Sequence, residues 1–258
     1  MSVLSEVAKS ESNVGKDVVH AKFNVKAGKI DLRYVISEKV AKAAIPYDIH
    51  IHKKKYSPES LLGLQPGLNK AGRSGVSGLK AESDLVSIVK GMAFALVELE
   101  DEDALRAVST ASGVVIAELD EGWNQSFVGT YFYVRLADSE DGTLNLRARM
   151  IEGLLEDPAT GSAASTVTGY LSLKQGKPNQ TLKFAVTQGV EMGRRSNIGV
   201  EVGMAETHCI GSVNLFGRAV QVMKVDLKPK WVCAENSSDE VESGRTQVSR
   251  SVDTEEMF

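Results

Sequence analysis

Cysteine is nearly absent from this chain: only Cys209 and Cys233 occur among 258 residues. So few exclude a disulfide framework and point to a reducing, cytoplasmic setting. A basic excess is also lacking. The chain has 30 lysines and arginines against 34 acids, for a formal charge of −4. That balance argues against nucleic-acid binding, which usually needs a basic face. No stretch approaches the roughly 18–20 apolar residues of a membrane helix, so no membrane association is expected. The start, MSVLSEVAKSESN, has no basic n-region and no long apolar run, and does not read as a secretory signal.

What remains is an ordinary globular composition, 42% hydrophobic and 25% charged, with length for one large or two small domains. The charge is uneven. From Cys233 to Phe258, seven acids (Glu235, Asp239, Glu240, Glu242, Asp253, Glu255, Glu256) face only Arg245 and Arg250, which leaves the tail near −5 and the remainder near +1. This Ser-rich tail holds too little apolar surface to offset its ordering entropy. Residues 233–258 are therefore expected to be disordered.

Residues 1–9, with Val3, Leu4 and Val7 at helical spacing, read as the end of a helix. HAKFNV, KAGK and IDLRYV read as strand, turn and strand of a hairpin. AIPYDIHIH (44–52) alternates, with Tyr47, Ile49 and Ile51 on one side and Asp48, His50 and His52 on the other. A D-x-H-x-H face can bind a metal, but three lysines follow, and a solvated strand face is the expected reading. SPESLLGL reads as a capped short helix. GLNKAGRS nearly matches the phosphate-binding G-x-x-x-x-G-K-[ST] pattern. Arg73 stands at the lysine position and no buried strand leads in, so a plain surface loop is expected. MAFALVEL reads as a strand, DEDALRAVST as a short helix and SGVVIAEL as another strand.

From Phe127 onward, FVGTYFYVRL, TLNLRARMI, TLKFAVTQ, NIGVEVGM, SVNLFG and AVQVMKV all alternate. One helix, at about 159–174, interrupts them, which is an α+β pattern. No charge occurs from Pro158 to Leu173. A surface helix carries a polar face, so this one is expected to be buried nearly all round. Ala163, Ala164, Ser165, Thr166 and Gly169 are small enough to let strands approach. Asp157 precedes Pro158, and proline favours the first helical position, so Asp157 reads as the N-cap. The amides from Ala159 to Ala163 then lie at the positive end of the helix dipole, where carboxylate or phosphate binds. Gly161 permits close approach and Ser162 adds a hydroxyl. On these residues alone, a cap, an anion pocket, or both remain open.

EDPATGSAA, with RARMI before it and YLSL closing the helix, resembles the PhzF-like family of phenazine-biosynthesis proteins. HAKFNVKAGKIDL, TQGVEMGRRSNIGVEV and SVNLFGRAVQVMKVDL resemble other family segments in the same order, so the resemblance covers residues 1 to about 228. It implies a diaminopimelate-epimerase-like α+β fold: two curled antiparallel sheets, each around a central helix, with the active site between the helix N-termini. The expected division is an incomplete first half at 1–120, a second half at 121–232, and the tail. The resemblance implies a cofactor-independent isomerase that shifts a proton on a small carboxylate substrate and needs no metal. Asp157 would be the catalytic group, and Thr160, Gly161, Ser162 and Ala163 would bind the substrate. Family members are often dimers, so a homodimer is the implied assembly.

The family's opening strand, its S-E-T segment with the acid/base glutamate, and its G-H-A-T helix start have no counterpart here. SVLSEV resembles the far end of that helix, and Glu6 lies in the wrong place to inherit the glutamate's role. The chain as written is therefore expected to show little or no isomerase activity. The alternative is a non-catalytic family remnant that binds a small carboxylate or a protein partner. Among the other residues, Arg149 is positioned to brace Glu156 or Asp157, and Arg194 and Arg195 fall on a turn. His208 and Cys209 read as a structural loop, and Trp123 as a marker of the crossover between halves.

Overall fold

The computed structural model describes residues 13, 15–25, 28–70, 78–79, 82–110, 113, 118–123 and 127–218. The expected helix end at 1–9, most of SGVVIAEL, half of GLNKAGRS, AVQVMKV and the acidic tail lie outside the described residues.

The alternating segments form strands. They are β1 (Val18–Val25), β2 (Gly28–Val35), β3 (Val40–Ala44), β4 (His50–Tyr56), β5 (Ser83–Val89), β6 (Met92–Glu98), β7 (Phe127–Arg135), β8 (Leu144–Glu152), β9 (Leu155–Asp157), β10 (Thr181–Gln188), β11 (Ser196–Met204) and β12 (Ile210–Gly217). The expected hairpin is β1–β2, paired from Val18↔Val35 to Val25↔Gly28. The helices are α1 (Pro58–Leu64), α2 (Glu102–Ala107) and α3 (Gly161–Gln175). Ser57 caps α1, its hydroxyl accepting from the Ser60 amide at 3.3 Å. Asp101 caps α2, accepting from the Ala104 amide at 2.9 Å.

The strands join one twelve-stranded sheet in the order β1-β2-β3-β12-β11-β10-β8-β7-β6-β5-β4, with β9 paired to β8. Among the described residues the sheet is thus continuous and mixed, where two antiparallel sheets were expected. β6–β7 and β8–β10 are parallel. Parallel neighbours need a crossover long enough to carry the chain back. α2 lies in the first crossover and α3 in the second. The β6–β7 pairing also carries the sheet across residue 120, where the two halves were expected to meet.

The uncharged helix sits where its sequence requires. Residues Ala163 through Gly169 are buried without a break, together with Leu171 and Ser172. Seven consecutive buried positions cover every face of a helix with 3.6 residues per turn. Residues of β5 through β8 and of β10 through β12 share one core with α3. Strands this far apart in the sheet can touch one helix only if the sheet curls around it. Gly169 is what permits the contact: a Cβ there would lie 2.2 Å from Ile49 Cδ1 and 3.3 Å from Ile210 Cδ1. Three buried hydroxyls turn back onto their own helix, Thr166 to the Ser162 carbonyl, Thr168 to Ala164 and Ser172 to Thr168, each at 2.8 Å, while the buried Ser165 hydroxyl has no partner among the described residues. A buried hydroxyl needs a partner, and the first three find one locally.

The other face of β5–β8 packs on α1 and α2 in a second core around Leu61, Leu85, Val97 and Phe132. This explains why β5, SDLVSIV, does not stand out in the sequence. Both of its faces are covered, Val86 by the first core and Leu85 by the second, so no polar alternation survives.

Two expectations change near β4. The strand begins at His50, not Ala44: Ala44 instead ends β3, paired with Asn214 of β12, and Pro46, with no amide to give a ladder, follows it. The D-x-H-x-H face is not uniformly solvated either. Asp48 is exposed, but His52 is only 2% exposed. Ser87 of β5 and the segment around Asp120 cover it.

Candidate functional site

The site grows from the short hairpin that leads into α3. β8 turns back on itself at Gly153 (φ +55°), and β9 pairs Ile151 with Glu156 and Met150 with Asp157. The turn leaves Leu154 85% exposed and Leu155 58% exposed. Pairing in β9 holds Asp157 in the sheet, so the helix cannot start there. Thr160 is the N-cap (φ −101°, ψ 92°) and Gly161 the first helical residue. This corrects the expected cap at Asp157.

Asp157 instead bridges strand and helix. Its Oδ1 accepts from the Ala159 amide at 3.2 Å, and its Oδ2 accepts from the Thr160 hydroxyl at 2.7 Å. The Thr160 side chain is thereby turned away from capping its own helix.

Behind this carboxylate sits Gln188, fully buried at the end of β10. Its Nε2 donates to the Asp157 carbonyl at 2.7 Å and to the Thr160 hydroxyl at 3.0 Å. Its Oε1 accepts from the Thr160 amide at 3.3 Å and from the Tyr131 hydroxyl at 3.1 Å. One side-chain amide thus uses both ends to fix the bend between β9 and α3. Burial, and then the nearby charge of Asp157, push the Tyr131 phenol above its usual range, so it stays a neutral donor. The Q-G of the TQGVEMGR segment was the only sequence signal for Gln188, and it gave no role.

Gln188→Leu should cost about 2–3 kcal/mol, because it strands the buried Thr160 amide, the Asp157 carbonyl and the Tyr131 hydroxyl. Chemical denaturation measures this; a change within about 0.5 kcal/mol would contradict the clamp.

Arg149 braces the hairpin through Glu156 rather than Asp157. Its Nε and Nη2 meet the two Glu156 oxygens at 2.8 Å each, and Nη1 donates to the carbonyls of Leu105 (3.1 Å) and Val108 (2.7 Å). Both side chains of the pair are under 10% exposed.

The residues expected to bind substrate come together at the start of α3. Thr160 and Ala163 are buried, while Gly161 and Ser162 are half-buried. The first intrahelical bond runs from the Ala164 amide to the Thr160 carbonyl at 3.0 Å. The amides of Gly161, Ser162 and Ala163 precede it and so have no acceptor within the helix. Gly161 lies against β12, where a Cβ would come within 2.7 Å of Leu215 Cδ2. Leu215 pairs with Ala43 of β3, which brings the helix start beside the strands of the first 44 residues. Arg194 and Arg195 are exposed on the turn after Gly189. His208 (φ +61°) and the exposed Cys209 lie between β11 and β12, away from these contacts.

A separate cluster joins His50, His52 and Asp120; one potential ligand atom from each lies within 4.8 Å of the other two. Among the described residues, no helix is long and apolar enough to cross a membrane.

No curated protein matches the chain. Solved structures do. A phenazine biosynthesis protein of the PhzF family from Bacillus anthracis superposes with a TM-score of 0.55 at 13% identity, over 82% of this chain and 69% of that one. A PhzF-family phenazine biosynthesis protein from Enterococcus faecalis gives a TM-score of 0.47 at 18% identity, over 84% and 66%. A hydroxyproline epimerase from Agrobacterium vitis with bound trans-4-hydroxy-L-proline gives 0.43 at 12% identity, over 84% and 61%. The first of these shares the fold: a largely β architecture around few helices. The family model for phenazine biosynthesis-like proteins matches residues 8–225, most of the sequence, and the chain belongs to that family.

Proposed function

We propose that this protein is an isomerase-type member of its family that relocates a proton on a small carboxylated metabolite without a cofactor. The substrate's carboxylate would take the amides of Gly161, Ser162 and Ala163 and the Ser162 hydroxyl. Asp157 would contact the substrate and move the proton. The supporting observation is the pairing of an open helix start with a fixed carboxylate. Three amides carry the positive end of the α3 dipole, and Asp157 is held beside them by Thr160 and, through its carbonyl, by Gln188. General acid–base catalysis needs such a positioned group within reach of the bound molecule. The division into halves at 1–120 and 121–232, with a cleft between them within the one sheet, belongs to the same proposal. The closeness of Gly161 to β12, and of β12 to β3, favours it.

The test is deuterium exchange. The protein is incubated in D2O with a panel of small cyclic and α-amino carboxylates, and proton NMR follows loss of the exchangeable carbon-bound hydrogen. Slow or no protein-dependent exchange is expected, since no second acid or base among the described residues hydrogen-bonds the Asp157 carboxylate, and any exchange seen should fall by about 10²–10⁴-fold in Asp157→Asn. Stability should fall by only about 1 kcal/mol, because asparagine still accepts from the Ala159 amide although its Nδ2 cannot accept from the Thr160 hydroxyl. Exchange that Asp157→Asn leaves intact would remove Asp157 from the mechanism.

One observation favours a second reading, carboxylate binding without turnover. The hydrogen-bond partners of the Asp157 carboxylate among the described residues are Ala159 and Thr160, and neither is a second acid or base. Saturable binding with no exchange across the panel would support that reading.

A further inference from the structure

His50 and His52 lie two residues apart on β4, and the third member of their cluster arrives from far along the chain. His50 Nε2 is 2.9 Å from Asp120 Oδ2. The Asp120 amide donates to His52 Nδ1 at 3.1 Å, and His52 Nε2 is 2.9 Å from the Ser87 hydroxyl. The Lys53 amide donates to the other Asp120 oxygen at 3.2 Å. One potential ligand atom from each of the three residues lies within 4.8 Å of the other two.

These contacts fix the protonation of His52. A backbone amide can only donate, so Nδ1 is the bare nitrogen. The proton of the neutral ring therefore sits on Nε2, facing Ser87. A metal-binding histidine likewise has its other N–H tied to a neighbour; here the ligating Nδ1 would first have to be released by the Asp120 amide. Burial first, and then His50, lower the His52 pKa below its ordinary value, with Asp120 opposing them. Asp120 pairs with no lysine or arginine among the described residues; its carboxylate lies against the His50 ring instead. The side chains of His50 and Asp120 are 35% and 20% exposed, which leaves an approach from solvent.

We propose that His50, His52 and Asp120 form a site for one divalent transition-metal ion of the zinc class, which staples the segment around Asp120 to β4. Bonds of about 2.0–2.2 Å from zinc to nitrogen and oxygen place neighbouring ligand atoms of a tetrahedral ion about 3.3 Å apart. The His50–Asp120 separation is already near that value. The widest pair needs to close by on the order of 1 Å. On binding, the ion takes the His52 Nδ1 lone pair from the Asp120 amide, and His50 moves its proton to Nδ1. Two imidazoles and one carboxylate favour zinc, nickel or copper over magnesium or calcium, which prefer all-oxygen sites. Lys90, held over the Trp123 ring at 5.7 Å, is a nearby positive charge that opposes the ion and limits its affinity.

A reporter is built in. The Trp123 indole stacks on the His50 ring, with centroids 4.5 Å apart and planes 18° from parallel. Copper or nickel at the site should quench it. The full chain is titrated with zinc chloride by calorimetry, with magnesium chloride as the comparison. One equivalent of zinc and a raised unfolding temperature are expected. His50→Gln and Asp120→Asn should each weaken zinc by at least about tenfold, whereas Cys209→Ser should not. Nitrogen-15 shifts of the His52 ring, read on the unmutated protein, should move at Nδ1 when zinc is added; this readout stands even if a variant fails to fold. Absence of zinc binding, an unmoved His52 Nδ1 signal, or binding that is lost in Cys209→Ser but kept in His50→Gln would each overturn the proposal.

Discussion

Arg149→Met is expected to destabilise the chain by about 3–5 kcal/mol, the range for removing one partner of a buried ion pair. The arginine makes two bonds to Glu156 and two to the carbonyls of Leu105 and Val108. Without it, Glu156 keeps a carboxylate in a place where its side chain is 9% exposed, and the end of α2 loses the cation that satisfies its last carbonyls. A buried unpaired charge costs more than the pair contributed. Replacing both partners should therefore do less harm: Arg149→Met with Glu156→Leu is expected to recover part of the loss. Recovery stays incomplete, since the two carbonyls still lack a donor. Urea denaturation of the single and double variants measures both numbers. A single variant within about 1 kcal/mol of the parent would contradict the account.

Gly189→Ala is expected to cost about 2–5 kcal/mol, combining left-handed backbone strain with overpacking. Gly189 has φ +74°, and a Cβ there would stand 2.5 Å from the Arg194 carbonyl oxygen and 2.8 Å from that of Pro158. Those are backbone atoms held by their own bonds, so they cannot swing away as a side-chain end could. Gly193 offers the comparison. Its φ is +69°, and nothing lies within 4 Å of its missing Cβ. Gly193→Ala should cost only the strain, about 1 kcal/mol. The difference between the two variants isolates the collision. Because Pro158 is one side of that collision, Gly189→Ala should also displace Asp157 and weaken carboxylate binding at α3, which NMR titration would detect. Equal losses in both variants would mean that the close approach of Gly189 to Pro158 carries no energy.

Some of this was legible in the residue pattern and some was not. An uncharged run from Pro158 to Leu173 sufficed to announce a helix buried all round, because burial on every face leaves no polar stripe. The helix start was not legible. DPATGSA reads locally as a cap followed by a helix, but β9 holds Asp157 in the sheet and Gln188 holds Thr160 in an extended conformation. Those contacts come from residues 7 and 28 positions away from their partners, and no local preference records them. The same limit separates His50 and His52 from Asp120. Period-two alternation put the histidines on one side of a strand, and Asp48, their neighbour in sequence, looked like the third member. The chain supplies Asp120 instead, from 70 residues beyond His50.

By itself, then, the sequence determined most of the strands (all but β3, β5 and β9), the buried helix and the family, since each is written in hydrophobic period and in short motifs that depend on near neighbours. Tertiary structure alone decided that the twelve strands make one sheet with two parallel pairs, that a buried glutamine holds the candidate carboxylate, and that a distant aspartate meets the two histidines. Pairings between remote segments are chosen by which arrangement buries the most apolar surface with every polar group satisfied. That choice belongs to the whole chain, and no single stretch of it carries the answer.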